Sequence, residues 1–285
     1  MRVVIVPLAA VSLFACNQPA DNATLPEGAD VTEAALSYDG ADYGDDEAAK
    51  LAHGERLSHV LGCRGCHTPD LTGMPFPPEE EGFSSTGIWA PNLTRSLQDM
   101  DDAALRKLLT EGVHPTREQM WMMPSSIFQH LSDADVDALI AHLRTVEPTG
   151  EASPLPEPTE SFMADVEKGI QRPILEEMAV YRDKAPADLG EAHASGRYVA
   201  MTTCAECHGP DLRGIPDFTP SLMDVGPMYD DAAFTRLLTD GTGMEGRELG
   251  LMALVGQRHF SYLTERERKA VIDYVHALAE ANSAE

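Results

Sequence analysis

Two five-residue strings constrain this chain more than any other feature: Cys63-Arg64-Gly65-Cys66-His67 and Cys204-Ala205-Glu206-Cys207-His208. Both have the form C-x-x-C-H, the attachment signature of a c-type haem. The two cysteines would add as thioethers to the haem vinyl groups, and the histidine would take one axial position on the iron. The spacing suits a helical turn, where residues three and four apart share a face and can meet one porphyrin. The chain has 5 cysteines, and four of them sit in these strings. A structural zinc site would need four ligands, for example two such pairs close together. Here the pairs lie far apart, at positions 63 and 204, and each is followed at once by histidine. A thioredoxin-like pair asks for a βαβ context, which the pattern lacks. The sequence thus predicts two covalently attached haem c groups, held at Cys63, Cys66 and His67 and at Cys204, Cys207 and His208.

The fifth cysteine, Cys16, follows a stretch (residues 3–15) that is apolar apart from Ser12, with Arg2 ahead of it. That is the pattern of an export signal, too short to span a bilayer as a helix. Leu13-Phe14-Ala15-Cys16 resembles a bacterial lipobox, in which Cys16 would become the lipidated first residue. Plain cleavage with loss of Cys16 is the other reading. The expectation is a signal with lipobox over residues 1–16 and a periplasmic protein that touches a membrane only through lipid on Cys16. Residues 17–46 are acidic, with scattered Gly, Pro and Ala and no firm periodicity, which predicts a flexible tether.

Lys+Arg number 21 against 47 Asp+Glu, a net charge of −26. Nucleic acid is thereby excluded as a partner, since binding its phosphates needs basic patches. Such a surface would steer a basic redox partner, at rates that fall with salt; it would equally serve solubility alone.

The length, 285 residues, suggests about two domains at ~150 residues each, and the chain repeats itself accordingly. Gly54-Glu55-Arg56-Leu57 leads to Cys63 as Gly196-Arg197-Tyr198-Val199 leads to Cys204. Pro69-Asp70-Leu71-Thr72-Gly73 matches Pro210-Asp211-Leu212-Arg213-Gly214, and Pro91-Asn92-Leu93 matches Pro220-Ser221-Leu222. Helical stretches follow at 101–111 and 230–240, each ended by glycine (Gly112, Gly241). Each copy closes with an amphipathic helix that opens on S/T-x-x-D/E, at Ser132 and at Thr264. Between the copies, residues 146–158 read as a linker, and 161–184 as helix that Pro173 should kink or divide.

With these residues in view, the chain resembles class I c-type cytochromes in tandem. More narrowly, it is similar to the di- and tri-haem cytochrome subunits that take electrons from periplasmic dehydrogenases. The resemblance covers residues 48–146 and 187–279. It implies an all-α fold: two tandem cytochrome c-like domains, 47–147 and 187–281, joined by a Pro-rich, partly helical linker over 148–186. It further implies that the Pro91 and Pro220 carbonyls accept from the attachment histidines, which fixes ring orientation and ligand basicity. Met123-Pro124 matches the family's ligand loop, making Met123 the expected sixth ligand of the first iron, with Met120 and Met122 as pocket filler. Met252 is the expected ligand of the second, with Met244 as the alternative. A thioether ligand favours reduced iron and raises the potential. His114 and His259 are alternatives that would give bis-histidine irons; otherwise the eight remaining histidines are expected at the surface or hydrogen-bonded. The stretch 73–90 is longer than its counterpart and should lie as a loop over the first haem edge.

The expected function is single-electron transfer between a dehydrogenase or quinol-oxidising donor and a downstream cytochrome or oxidase, with no catalytic residue of its own. Leu57, Leu71, Leu93, Leu105, Leu108 and Leu139 are expected to wall the first pocket. Val199, Leu212, Leu222, Leu237 and Ile272 are expected to wall the second. The alternative is a di-haem enzyme of peroxidase or thiosulfate-oxidising type, which would need an acid–base residue such as Glu118, Glu245 or Glu248 beside an open iron position.

Overall fold

The computed structural model describes residues 36–77 and 85–283. The expected signal, Cys16, most of the expected tether and residues 78–84 lie outside the described residues.

Each module is organised around one helix crossing. In the first module, Glu47–Val60 leads, capped by Asp46, whose side chain accepts from the Ala49 amide. Asp133–Arg144 closes it, capped by Ser132 accepting from the Asp135 amide. The helices cross at Gly54, where a Cβ would stand 1.9 Å from the Ala138 carbonyl oxygen. The second module repeats the crossing with Ala194–Val199 and Glu265–Ser283, and a Cβ on Gly196 would stand 2.0 Å from the Ala270 oxygen. Only a residue without a side chain lets the two backbones approach so closely. A third helix completes each module, Asp102–Glu111 and Asp231–Asp240, with Asp101 and Asp230 as caps and Gly112 and Gly241 as left-handed stops. Leu57, Phe128, Val136 and Leu139 fill the first core, and Val199, Leu212, Tyr274 and Val275 the second. Burying each such large apolar side chain is worth ~1.5–3 kcal/mol.

The modules differ where the leading helix meets its attachment string. In the first, the helix stops at Val60, and a short helix Cys63–Cys66 restarts after Gly62. In the second, a π-turn Ala200–Cys204 carries the chain without a break into Ala205–His208. The spacing between glycine and first cysteine also differs by one residue between the two repeats.

Among the described residues the fold is all-α apart from one pair of strands. Met74–Phe76 pairs antiparallel with Ile88–Ala90, so the stretch expected as a plain loop is partly strand. Pro75 is accommodated because a two-stranded hairpin has only edge strands.

The connector is more than a spacer. Pro173 divides it as expected, standing as the N-cap of Ile174–Asp183 after a first helix, Glu160–Glu167. Both helices pack on the first module: Phe162 meets Trp121 edge-on at 5.3 Å, and the Ile174 amide donates to Met120 O at 3.1 Å.

Residues 36–46 correct the expectation of a flexible tether over its last part. Tyr38 is 2% exposed and packs edge-on against Tyr198 of the second module, centroids 5.4 Å apart. Composition suggested a tether because the segment is acidic and Gly-rich; the buried Tyr38 and the half-buried Tyr43 outweigh that bias.

Candidate functional site

Each attachment histidine is held the same way. His67 Nδ1 lies 2.8 Å from the Pro91 carbonyl oxygen, and His208 Nδ1 lies 2.8 Å from that of Pro220. A carbonyl can only accept, so Nδ1 carries the proton and Nε2 keeps a lone pair for a metal. Burial holds both imidazoles below the usual histidine pKa, although the proline contact works the other way. Both rings are therefore neutral near pH 7, the state a ligand needs.

The surrounding backbone repeats with equal fidelity. Gly73 and Gly214 donate to the carbonyls of His67 and His208 at 2.9 and 2.8 Å. Leu93 and Leu222 donate to Leu71 and Leu212 at 2.8 and 3.0 Å. Leu71 and Leu212 both take left-handed φ, 63° and 61°. Two chain segments with different side chains thus adopt one cradle.

Both cradles open onto a single connected cavity of about 2120 Å³. Ligand pockets usually run ~300–1,000 Å³, so this space is about that of two large sites. Cys63, Cys66, His67 and Met123 line it, as do Cys204, Cys207, His208 and Met252. Met120, Met122, Met244, His114 and His259 line it too.

Three features of the lining fit two haem c groups. First, burial pushes the Cys63 thiol up to about 12 and that of Cys204 up to about 11. Thioethers carry no charge, so they suit such a buried, apolar setting. Second, the walls are apolar: Leu93, Leu105 and Leu108 at the first cradle, Val199, Leu222 and Leu237 at the second. The other expected wall residues, Leu57, Leu71, Leu139, Leu212 and Ile272, are buried in the core and do not line the cavity. They were misplaced because burial and cavity-facing read alike in a periodic sequence. Third, Arg117, Arg172, Lys184, Arg213, Arg247 and Arg258 line the cavity, six of only 21 cations, against five of 47 acids (Asp165, Glu177, Glu206, Asp211 and Asp217). Guanidinium groups suit the propionate carboxylates of a haem.

Phe162, Arg172, Tyr181 and Lys184 line the cavity from the connector, which had been assigned no part in the site, and Met74 and Phe76 line it from the stretch expected to lie over the first haem edge. Large aromatics in an otherwise polar linker were the available signal. Glu118, Glu245 and Glu248, the acids named for the enzyme reading, are exposed and do not line the cavity, whereas Glu177 and Glu206 do. His259 donates from Nδ1 to His59 O at 3.0 Å, and its ring sits against Gly65 of the first attachment turn.

Two helix crossings, two histidine–proline pairs and two C-x-x-C-H turns repeat one architecture, that of a c-type cytochrome. Residues 51–147 and 193–279 each match the family model for cytochrome c, and the chain belongs to that family. It is also 23% identical, over 260 residues, to the fructose dehydrogenase cytochrome subunit of Gluconobacter japonicus. That match covers 80% of this chain and 52% of the relative, so the chain spans about half the length of the curated relative it matches.

Proposed function

We propose that this chain is an exported di-haem c-type cytochrome that relays single electrons from a dehydrogenase or quinol-oxidising donor to a downstream cytochrome or oxidase. The observation that carries the reading is the repeated histidine–proline pair, which presents two neutral imidazoles to one apolar cavity. When bound, the haems would supply reversible one-electron chemistry at iron. The chain does the rest. Cys63, Cys66, Cys204 and Cys207 would tether the ring edges, and His67 and His208 would ligate from one side. Met123 and Met252, on the cavity lining, would ligate from the other. The arginines and Lys184 would receive propionates, and the leucine walls would keep water from the iron, raising its potential. A dehydrogenase as donor is supported by the name of the relative, and the net charge of −26 suits a basic face on a partner protein. Contact with such partners would be small and transient.

A potentiometric titration with optical and magnetic spectra tests this reading. Two methionine-ligated, high-potential irons are expected; a bis-histidine or open iron would move the enzyme reading ahead. Met123→Ala should lower the potential of one haem only, by a sizeable part of the roughly 0.8 V over which axial ligands tune haem, and leave both haems attached. An unchanged potential removes Met123 as ligand. We also propose a periplasmic location with a lipid on Cys16. Mass spectrometry of the mature N-terminus should find that lipid, and a chain that starts beyond Cys16 would exclude the anchor.

A further inference from the structure

Away from the cavity, the modules are joined by a buried network that electron transfer has not so far used. Its centres are two equivalent acids, Asp135 and Glu267, the third residues of the closing-helix caps, 0% and 1% exposed. Each is met by the other module's leading helix. Tyr198, two residues after Gly196, donates from its hydroxyl to Asp135 Oδ2 at 2.7 Å. Arg56, two residues after Gly54, donates to both oxygens of Glu267, at 2.8 and 3.0 Å. The pairing is reciprocal, as across a two-fold interface between like subunits.

Residues 38 and 39 join the two halves. The Tyr38 amide donates to Asp135 Oδ2 at 3.1 Å, and the next amide, Asp39, donates to Glu267 Oε1 at 2.7 Å. The Tyr38 hydroxyl lies 2.7 Å from Thr202 Oγ1 on the second module's π-turn. Buried charges are seldom kept for stability alone; fixing one arrangement is the better-attested use. Here the helices being fixed are the two that run into the attachment turns. The first attachment turn also meets the second module, where a Cβ on Gly65 would come 2.7 Å from the ring of His259, at the end of the helix Leu251–Arg258.

We propose that Arg56, Tyr198 and the Tyr38–Asp39 clasp are positioning residues that hold the two attachment turns at one separation, so that the haems exchange electrons within the chain. This rests on the proposed cytochrome function. In the exchange one iron passes from ferrous to ferric as the other passes from ferric to ferrous; one electron moves and no bond is made or broken.

The test uses the full-length holoprotein with no partner. One haem is reduced by a fast pulse, and redistribution to the other is followed optically in Arg56→Ala, in Tyr198→Phe and in the double variant. Redistribution in the double variant should slow several-fold, because electron tunnelling falls steeply as the two groups drift apart. Both equilibrium potentials and visible spectra should stay as in the parent, and amide hydrogen exchange at Tyr38 and Asp39 should rise. Arg56→Lys should restore part of the rate lost in Arg56→Ala. Tyr198→Phe removes a single hydroxyl and is the deciding variant if Arg56→Ala fails to mature. A rate within twofold of the parent overturns the proposal, whatever the amides do. The function reading fails separately, if the parent accepts electrons from no dehydrogenase while its haems still equilibrate.

Discussion

Gly54→Ala is expected to destabilise the first module by about 3 kcal/mol or more, the upper range for overpacked sites. The added carbon would fall 1.9 Å from the Ala138 carbonyl oxygen, which is backbone and cannot swing aside. The leading helix would have to lift off the closing helix, carrying the attachment turn with it. Gly196→Ala should do the same to the second module against Ala270, at 2.0 Å. Gly62→Ala is the control: nothing lies within 4 Å of its Cβ, but φ is 75°, so only the left-handed strain of ~1–2 kcal/mol applies. Denaturant unfolding of the purified holoproteins measures all three. Equal costs at positions 54 and 62 would mean that the helices do not meet as closely as described.

Asp135→Ala should destabilise both modules together. The lost carboxylate accepts from Tyr198, Ser132 and the Tyr38 amide and pairs with His53 Nε2 at 2.7 Å. Removing it leaves buried donors unpaired. Breaking a buried pair costs roughly 3–5 kcal/mol; at about 2–4 °C per kcal/mol for a chain of this size, Tm should fall by roughly 6–20 °C. Asp135→Asn keeps one acceptor oxygen and should lose less. Calorimetry distinguishes a joint from a local cap: a joint moves the whole transition, whereas a cap moves that of the first module alone.

The sequence announced this architecture unevenly, for physical reasons. Local signals were reliable. Asp101 and Gly112 bracket one helix, Asp230 and Gly241 its twin, and Ser132 caps the closing helix as its pattern implies. The attachment strings were legible because their chemistry fixes their spacing; the histidine–proline pairs, 24 and 12 residues apart, were implied only by the family resemblance. The interface was hidden. Asp135 and Glu267 read as ordinary caps of solvent-facing helices, since nothing in a capping motif says that its acid is 0% exposed. Tyr38 was lost in an acidic segment whose composition favours disorder. The connector was read as packed helix with no part in the site, because its apolar residues meet a partner more than forty positions away, as Phe162 does Trp121.

The cavity common to both attachment turns ties the manufacture of one module to that of the other. Its walls come from both repeats and the connector, so neither half is finished by its own haem. A half-loaded chain would keep a wetted apolar trough facing the vacant side, with Leu237, Val255 and Phe260 or Leu105, Ile127 and Phe128 along it. Troughs of that kind open readily and are what proteases and holdases engage. If each attachment turn takes a haem, as proposed, a chain loaded on one side alone would still expose that trough and should be cut by protease more readily than the fully loaded protein.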